Sequence, residues 1–552
     1  MTTGREFTLG NLNEAIADAY PEREAIVTPT RRFRWRDFQL RTRRLANLLL
    51  EAGLGCHRER SELEPWESGQ DHLGLYLYNC PEYLEGMVGA SKARVASFNV
   101  NYRYVEDELL YLFRDAKPKA LLYHASFAPQ VARLRSELPE LRLLLQVDDG
   151  SGEPLLPGAL DYEEALARSS DTLPPVEPRG DDLYILYTGG TTGMPKGVLW
   201  RQEDIFFAAM GGRVVGGEPV RSIEEVVERA KGGETLRMLP APPFMHGAAH
   251  WSAFIMLHSG GTVVLPKEVR KLDPDDIWRT VEREKVLTLT IVGDAFARPL
   301  LDALRKGSYD VSSLRILGSG GAILSPELKK EFLELLPDIV IFDGFGASET
   351  GAQGAAVSMK GMEKPPEVFQ MDEQTVVLDE NLTRKLEPGE DAIGWLARTG
   401  YVPLGYLGDP EKTRKTYPVI DGVRYAVPGD RAKLAPDGKI YVLGRDSVCI
   451  NTGGEKVFAE EVELALKSHP AVYDAVVVGT PHERWGQQVT AVVALRPGTS
   501  ASEEELRAEA AKKLARYKLP RAFVFVDSVV RAPTGKPDYR WARETALRAL
   551  SR

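Results

Sequence analysis

Hydrophobic positions alternate between two spacings along the first part of the chain. Over residues 11–150, stretches with apolar residues every three or four positions, such as residues 40–52, alternate with short apolar runs such as residues 73–78 and 120–123. The first spacing is typical of amphipathic helices and the second of buried strands. This alternation predicts βα units built around parallel sheets.

The alternation continues after a proline-rich connector at residues 173–180. We expect strands at residues 183–187, 262–265, 287–292, 314–317 and 339–342, and helices at residues 274–284 and from Pro326 onward. Ser325 is suited to cap the second of these helices, with Pro326 at its first position. From about residue 375 to residue 442, short apolar segments are separated by turn residues, which predicts a β-rich region.

A second change in pattern follows residue 446. Residues 459–468 predict a helix, residues 475–478 and 489–495 predict strands, and Ser502 with Glu505 forms a capping-box pattern at the start of another helix. The sequence therefore predicts an α/β fold with a large multi-sheet N-terminal domain, residues 1–446, which includes the β-rich region. A small α+β domain, residues 447–552, follows it.

Composition narrows the classes of function. The chain has 552 residues, with 70 Lys plus Arg against 80 Asp plus Glu, and a net charge of −10 disfavours binding to nucleic acid or to an anionic membrane. No stretch is apolar for the roughly 18 residues that a membrane span needs, and no secretory signal is visible. The cysteines Cys56, Cys80 and Cys449 lack disulfide or zinc spacing. We therefore expect a cytoplasmic protein.

The segment at residues 187–197, Tyr-Thr-Gly-Gly-Thr-Thr-Gly-Met-Pro-Lys-Gly, directly follows a predicted strand. Its backbone N–H groups could surround phosphate oxygens, and Lys196 would add a positive charge. The Walker A pattern is absent because Gly197 follows the lysine where Ser or Thr is required. On composition alone, a phosphate-binding loop and a mobile surface turn are equally good interpretations.

Other motifs follow in a fixed order. They are residues 345–350 (Phe-Gly-Ala-Ser-Glu-Thr), residues 425–430 ending in Gly-Asp, Gly444-Arg445, residues 453–455 (Gly-Gly-Glu) and residues 533–536 (Pro-Thr-Gly-Lys). Together with residues 187–197 they resemble the signature motifs of the adenylate-forming (AMP-binding) superfamily, in the acyl-CoA synthetase branch. The resemblance covers roughly residues 20–545, and it implies that the small C-terminal domain is mobile.

The resemblance implies a role for each motif position. Residues implied in ATP or AMP binding are Thr188, Gly189, Gly190, Thr191, Thr192, Lys196, Gly320, Gly321, Ala322, Asp343, Gly344, Phe345, Gly346, Ser348, Asp430 and Arg445. Asp430 would bind the ribose hydroxyls, and Asp343 would contact the purine amino group. Glu349 would coordinate Mg²⁺, which prefers carboxylate and phosphate oxygens.

Lys536, Glu349 and His246 are the implied catalytic residues. The ammonium of Lys536 would stabilise charge that develops between the acid and the α-phosphate. His246 and His250 have the i, i+4 spacing of a zinc pair, but no third ligand and no HExxH glutamate accompany them, so we reject a metal site there. His246 would border the acyl pocket, and we expect a structural role for His250.

Four positions concern the transfer of the acyl group to CoA, the second half-reaction that the resemblance implies. Gly453 and Gly454 would border the path of the CoA thiol, because glycine lets a ligand pass close to the backbone. Asp446 and Ser447 follow the hinge arginine, where the family usually has a charged residue two places on, so either one could be the pivot. Phe345 and Ser348 also replace the family's usual tyrosine and threonine.

The expected activity is therefore an ATP-dependent carboxylic acid:CoA ligase that proceeds through acyl-AMP, with ATP, Mg²⁺ and CoA as cofactors or co-substrates. The chain ends soon after Lys536, which favours a free thiol over a fused carrier domain. Transfer to a separate carrier protein and a catalytically silent nucleotide- or acyl-binding homologue are the alternatives. An amino-acid adenylating enzyme lacks support, since no acidic residue lies near residue 246 to bind a substrate amine.

The acid itself is less well specified. Small residues at positions 247–249 and 351–356 predict either a roomy apolar cleft or close helix–sheet packing. Residues 405–430 resemble the actinobacterial fatty-acyl-CoA synthetases, which include sterol side-chain CoA ligases, so fatty or bulky polycyclic acids are the first candidates. A homodimer is one candidate oligomeric state.

Overall fold

The computed structural model describes residues 6–188, 194–213, 217–362, 369–452, 455–532 and 535–550. Strands and helices in these ranges are numbered in chain order. They form two large sheets, a four-stranded sheet, a two-stranded ribbon and a five-stranded sheet. The predicted α/β class, with a multi-sheet body and a smaller C-terminal α+β unit, is confirmed.

An eight-stranded sheet is built mostly from the first 200 residues. Its strands are β3 (His72–Tyr76), β4 (Ala96–Asn99), β5 (Ala120–His124), β6 (Leu143–Val147), β7 (Leu160–Asp161), β8 (Leu183–Thr188), β9 (Lys196–Arg201) and β19 (Gly405–Tyr406). They lie in the order β19-β9-β8-β4-β3-β5-β6-β7. Pairing is parallel from β8 to β7 and antiparallel between β8, β9 and β19.

A nine-stranded sheet forms the second layer. Its strands are β1 (Glu24–Val27), β2 (Arg32–Arg34), β10 (Arg237–Pro240), β11 (Thr262–Val264), β12 (Thr288–Ile291), β13 (Ile316–Gly320), β14 (Val340–Ala347), β15 (Gly351–Met359) and β16 (Gln370–Met371). The order is β16-β15-β14-β13-β12-β10-β11-β1-β2. Its central strands are parallel, and β2, β15 and β16 pair antiparallel at the two edges.

Helices cover these two sheets on both faces. In the large domain they are α1 (Leu9–Ala19), α2 (Trp35–Glu51), α3 (Pro81–Lys92), α4 (Glu106–Ala116), α5 (Ala128–Leu134), α6 (Tyr162–Arg168), α7 (Gln202–Ala209), α8 (Ile223–Ala230), α9 (Gly247–His258), α10 (Pro274–Glu284), α11 (Gly293–Lys306), α12 (Pro326–Leu335) and α13 (Pro410–Thr416). The predicted helix at residues 274–284 and the Ser325–Pro326 helix start are confirmed.

One core joins both large sheets. It contains Leu12 of α1 and Phe254 of α9 together with Leu73 of β3 and Val263 of β11, so these helices lie between the sheets. A second core packs α10, α11 and α12 on the outer face of the nine-stranded sheet, and a third packs α4 and α5 on the outer face of the eight-stranded sheet. The resulting helix–sheet–helix–sheet–helix layering explains why the parallel strands are apolar on both faces.

The predicted β-rich region forms two small units. The four-stranded sheet contains β17 (Thr375–Leu378), β18 (Ile393–Arg398), β22 (Asp430–Leu434) and β23 (Ile440–Arg445), and the ribbon contains β20 (Val419–Ile420) and β21 (Val423–Arg424). Helix α13 interrupts this region and was not among the predicted elements. Its Asp409 N-cap and Pro410 at the first position are ordinary helix-start signals.

The C-terminal unit has its own sheet and cores. Its strands are β24 (Cys449–Thr452), β25 (Glu455–Phe458), β26 (Val472–His482), β27 (Gly486–Leu495) and β28 (Ala522–Val526), and its helices are α14 (Ala459–Lys467), α15 (Glu503–Ala511) and α16 (Tyr539–Leu550). Helices α14 and α15 cover one face of the sheet and α16 covers the other. The predicted capping box at Ser502 and Glu505 is present.

Within the described ranges, no helix combines the length and apolar composition needed to cross a bilayer.

Candidate active site

The β8–β9 hairpin holds the two ends of the predicted phosphate-binding segment. Thr188, the last residue of β8, is paired in register with Lys196, the first residue of β9. Lys196 Nζ lies 3.0 Å from Asp409 Oδ2 at the start of α13. Burial opposes protonation of Lys196, but its hydrogen bond with Asp409 raises its pKa, so the ammonium persists. The predicted residues Gly189, Gly190, Thr191 and Thr192 lie outside the described part of the chain.

Glu349 lies in the turn between β14 and β15, where it is almost fully buried. Its Oε1 accepts a hydrogen bond from the Tyr406 hydroxyl at 2.9 Å. The carbonyl of the preceding Ser348 accepts from Trp200 Nε1 at 2.9 Å, which fastens the turn to β9. The fold therefore presents one carboxylate from a fixed turn, in the orientation that Tyr406 sets.

Two residues predicted to bind ATP or AMP lie side by side on neighbouring parallel strands. Gly320 at the end of β13 is in register with Gly344 of β14. Asp343, one residue earlier, turns towards α12, where its Oδ2 lies 2.6 Å from Lys329 Nζ. Burial raises the pKa of Asp343 and the Lys329 charge opposes this rise. Contact of Asp343 with a purine amino group stays a prediction.

Other residues predicted to bind ATP or AMP flank this register pair. Phe345 packs on Phe369 with 5.3 Å between ring centroids, and Gly346 follows it on β14. Ala322 is partly buried and packs beside the core that α11 and α12 share. The structure thus places residues 320–322 and 343–348 at one end of the nine-stranded sheet.

Asp430 and Arg445 face each other across β22 and β23. Arg445 Nε is 3.4 Å from Asp430 Oδ1, and the Asp430 carboxylate raises the pKa of Arg445. The two residues immediately after β23 are the predicted hinge positions, Asp446 and Ser447. Both lie in a short 3₁₀ turn, Asp446–Val448, and Asp446 Oδ1 accepts from Arg431 Nε at 2.8 Å.

Lys536 approaches this group from the C-terminal unit. The preceding Gly535 has a φ of +73°, and a Cβ there would lie 2.9 Å from Val292 Cγ1, so the lysine turn sits closely on the start of α11. The Lys536 side chain keeps solvent access in the cleft. Desolvation and the Arg445 charge lower the pKa of Lys536, while the carboxylates of Glu349, Asp430 and Glu460 oppose that change.

His246 is the N-cap residue of α9 and lies on the same cleft. Its Nε2 atom is buried and has no hydrogen-bond partner within the described residues. Burial and the charge of Lys536 lower the pKa of His246 to about 3, so the imidazole is neutral. His250 instead bonds the Phe244 carbonyl through Nδ1 at 2.6 Å and the Tyr184 hydroxyl through Nε2, which fits its expected structural role.

The small residues near the cleft divide into two groups. A Cβ on Gly351 would lie 2.8 Å from Ala208 Cβ, so close packing of α7 on β15 is the interpretation that applies there. A Cβ on Gly320 would meet no atom closer than 3.6 Å, and a Cβ on Gly321 would lie 4.0 Å from Ala248 Cβ of α9. Open space therefore lies along the ends of β13 and β14, opposite α9.

Two groups near the cleft were missed by sequence reasoning. Lys412 Nζ lies 4.4 Å from the Tyr406 ring centroid, and Lys412 interacts electrostatically with Glu349 and Lys196. Burial lowers the pKa of Lys412. No local motif marks Tyr406 and Lys412, because β19 and α13 bring them to the site from a separate part of the chain. Gly453 and Gly454, predicted for the CoA path, lie outside the described residues, between the paired Thr452 and Glu455.

Solved structures share this architecture. A crystal structure of the anthranilate CoA ligase AuaEII with anthranoyl-AMP superposes with a TM-score of 0.82 at 22% identity, covering 99% of this chain and 98% of that chain. ATP-bound MatB from Rhodopseudomonas palustris superposes with a TM-score of 0.78 at 24% identity, covering 97% and 98%. At these identities the likeness concerns the fold.

Curated relatives are similar over nearly the whole length. The medium-chain acyl-CoA ligase Mig of Mycobacterium avium is 55% identical over 546 residues, which cover 99% of each chain. A 3-oxocholest-4-en-26-oate--CoA ligase of Rhodococcus rhodochrous is 42% identical over 551 residues, covering 98% of this chain and 96% of that protein. Residues 461–536 match the AMP-binding enzyme C-terminal domain, and residues 13–406 match the AMP-binding enzyme domain itself. This chain therefore belongs to the AMP-binding enzyme family.

Proposed function

We propose that the protein is an ATP-dependent acid:CoA ligase acting on medium- or long-chain fatty acids or bulky hydrophobic acids. The observation that supports the proposal is that Lys536, from the C-terminal unit, lies within electrostatic range of Glu349, Asp430 and Arg445 of the large domain. Relatives named for medium-chain acyl-CoA and for 3-oxocholest-4-en-26-oate, at 55% and 42% identity, support both the reaction and the acid class.

In the first half-reaction a carboxylate oxygen of the acid attacks the α-phosphorus of ATP, and the bond to the bridging oxygen of the β-phosphate breaks. Acyl-AMP forms and pyrophosphate leaves. Lys536 stabilises the charge that builds up between the carboxylate and the α-phosphate, and Arg445, held by Asp430, adds a second positive group. Asp430 also offers acceptor oxygens to the ribose hydroxyls.

His246 orients the acid. Because its pKa is lowered to about 3, the ring is a neutral hydrogen-bonding group at physiological pH. Its buried, unpartnered Nε2 fits a ligand atom supplied by substrate. The open strip beside Gly320 and Gly321, facing Ala248 of α9, has the room that an apolar acyl group requires.

Glu349 fits a role as magnesium ligand. Mg²⁺ is usually held by one or two protein carboxylates together with substrate phosphates. Glu349 supplies such a carboxylate from a fixed turn, with Oε1 oriented by the Tyr406 hydroxyl. When bound, Mg²⁺ would neutralise phosphate charge as pyrophosphate departs.

In the second half-reaction the sulfur of CoA attacks the acyl carbon, the bond to the AMP oxygen breaks, and acyl-CoA and AMP are released. We propose that the C-terminal unit, residues 447–552, rotates about Asp446 and Ser447 between the two steps, removing Lys536 from the cleft. Gly453 and Gly454 would then border the thiol path.

The three free cysteines, Cys56, Cys80 and Cys449, agree with action in the reducing cytoplasm.

A panel of acids tests the proposal. We expect AMP and acyl-CoA to form from ATP, CoA and aliphatic acids of several lengths or steroid side-chain acids. Acyl-AMP that accumulates with CoA and is consumed only by a carrier protein would identify the carrier-dependent alternative. ATP binding without AMP production across the panel would identify the silent homologue.

A homodimer stays a prediction, which light scattering can check.

The substitution Lys536→Ala tests the assignment of the lysine. We expect acid-dependent exchange of pyrophosphate into ATP to fall by about 100- to 1,000-fold, the usual effect of losing one group that stabilises transition-state charge. Transfer of a supplied acyl-adenylate to CoA should stay within a few-fold of wild type, because Lys536 has left the cleft in that step. Equal loss in both half-reactions would contradict the assigned role.

A further inference from the structure

The carboxamide of Asn99 connects two segments of the site that are far apart in sequence. Asn99 is the last residue of β4 and is buried. Its Oδ1 accepts from the backbone N–H of Tyr187 at 2.7 Å, and its Nδ2 donates to the carbonyl of Tyr187 at 2.9 Å and to the carbonyl of Met245 at 2.7 Å. One side chain therefore uses both of its donors and an acceptor on backbone groups.

Both partners of Asn99 directly precede residues of the site. Tyr187 is followed by Thr188, where β8 enters the phosphate-binding segment, and Met245 is followed by His246. Strands β4 and β8 are paired in register at Phe98 and Ile185. The Asn99 carboxamide thus hydrogen-bonds to the backbone of β8 beyond the end of β4, as a further peptide group of β4 would do.

The side chain of Tyr187 is also held by a hydrogen bond. The Tyr187 hydroxyl donates to Asp115 Oδ2 of α4 at 2.6 Å. Asp115 and Lys196 interact electrostatically. A shift of the Tyr187 backbone therefore displaces groups on both strands of the hairpin that holds the phosphate-binding segment.

We propose that Asn99 is a positioning residue that couples the acid subsite at His246 to the phosphate subsite at Thr188, so that binding of one substrate favours binding of the other. The inference rests on the proposed function, since it assigns the acid to the His246 side and ATP to the Thr188 side. Because the same carboxamide holds both backbones, a position of Met245 that suits the acid also fixes the position of Tyr187.

A neighbouring asparagine offers a matched control. Asn79 is also buried, and its Nδ2 donates to the Pro242 carbonyl at 2.9 Å while its Oδ1 accepts from the Phe244 N–H at 2.6 Å. Asn79 thus holds the same segment before His246, but among the described residues its hydrogen bonds do not reach β8. Asn79→Asp and Asn99→Asp both keep an acceptor and both lose donors, so a general loss of order in the segment should follow either change.

The test measures the affinity for α,β-methylene-ATP with Mg²⁺, in the absence and presence of saturating dodecanoate. In wild type we expect dodecanoate to tighten binding of the analogue by at least about fivefold, the lower end of typical coupling between sites. Asn99→Asp should reduce this factor to nearly one, whereas Asn79→Asp should retain it. A factor near one in wild type, an unchanged factor in Asn99→Asp, or equal losses in both variants would each overturn the inference.

A measurement on wild type keeps the inference testable if Asn99→Asp does not fold. Dodecanoate alone should slow amide hydrogen exchange in a peptide covering residues 183–188 by at least about twofold, because ordering at Met245 reaches Tyr187 through Asn99. Unchanged exchange there would overturn the inference. A protein that makes acyl-CoA without coupling refutes only this inference, whereas a protein that binds neither probe refutes the proposed function as well.

Discussion

Positive groups around the cleft lie among carboxylates that fix their positions. Lys196 pairs with Asp409, Arg445 pairs with Asp430, and Lys536 and Lys412 both interact with Glu349. With a net charge of −10, the field of the whole protein does not attract ATP or CoA. Attraction for the phosphates has to come from these local groups, so changes to their carboxylate neighbours should alter the chemistry at the site.

Glu460, in the first turn of α14, is one such neighbour. Burial raises the pKa of Glu460 to about 7, with Glu463 and Asp430 adding to the rise and Arg445 and Lys536 opposing it. Above that pH the carboxylate is charged and favours the Lys536 ammonium. Glu460→Gln removes this support, so the pKa of Lys536 should fall further. We expect the alkaline limb of the adenylation rate to move to lower pH, as pyrophosphate exchange from pH 6 to 10 will show.

Glu461 supplies the control for this substitution. It lies next to Glu460 on α14, but it caps the helix at Phe458 and pairs with Lys518 Nζ at 2.6 Å. Glu461→Gln should leave the alkaline limb where wild type has it. If both glutamines moved the limb equally, or if Glu460→Gln moved it to higher pH, the influence of Glu460 on Lys536 would be refuted.

Short motifs are the source of the site residues that the sequence predicts. Glu349, Asp430, Arg445 and Lys536 were predicted in this way, and the structure brings them together in one cleft. Asn99 was missed because its partners lie 88 and 146 positions away. Such a contact leaves no local pattern, since it depends on which strands become neighbours in the sheet.

At the scale of elements, local sequence signals predicted a helix correctly, but they did not predict the order of strands in a sheet. Helix α10 begins and ends where its pattern predicts, because an N-cap aspartate, a first-turn proline and a regular apolar stripe coincide in residues 273–284. The strand order of the nine-stranded sheet, in which β1 and β2 join β11 at one edge, was not predictable. Hydrophobic spacing shows that a strand is buried, but it does not specify the neighbour.

The turn that carries Lys536 gives a prediction at this scale. Gly535 has a φ of +73°, and a Cβ there would lie 2.9 Å from Val292 Cγ1 and 3.2 Å from the Val292 carbonyl oxygen. Gly535→Ala would add backbone strain of about 1–2 kcal/mol and would press the turn against α11. The proposed rotation of the C-terminal unit would break this contact when Lys536 leaves the cleft, so we expect adenylation to slow by about 5- to 30-fold and thioester formation to change little.

Gly486 is the matched glycine for this experiment. It has a φ of +72° at the start of β27, and a Cβ there would lie within 4 Å of no atom in the described part of the chain. Gly486→Ala should lower the melting temperature of the C-terminal unit by a similar strain while leaving the ratio of the two half-reactions as in wild type. A change of that ratio in Gly486→Ala, or none in Gly535→Ala, would argue against the docking role of the turn.

At the scale of the whole molecule, the C-terminal unit contacts α11 and α12 of the large domain, and three of these contacts lie along α11. Gly535 meets Val292 just before α11, Lys467 Nζ lies 3.6 Å from Asp294 Oδ2, and the Arg298 guanidinium lies 5.3 Å from the Tyr473 ring centroid. These contacts follow one another along the first two turns of α11. The arrangement with Lys536 in the cleft therefore depends in part on an ion pair and a cation–π contact on α11, which the proposed rotation would break.

The substitution Tyr473→Leu tests this dependence, because it keeps an apolar side chain and removes the ring that lies over Arg298. The Nε and Nη1 atoms of Arg298 are buried and have no hydrogen-bond partner in the described residues. Loss of a cation–π contact worth about 0.5–2 kcal/mol should lower the equilibrium constant for closure by about 2- to 30-fold. Trp485→Leu is the control, since that ring contacts Arg484 and Arg521 within the C-terminal unit. We expect Tyr473→Leu to slow pyrophosphate exchange and to spare CoA transfer from a supplied acyl-adenylate, with Trp485→Leu leaving their ratio unchanged. Equal slowing of both half-reactions by Tyr473→Leu would show that α11 supports the fold of the unit and does not control its closure.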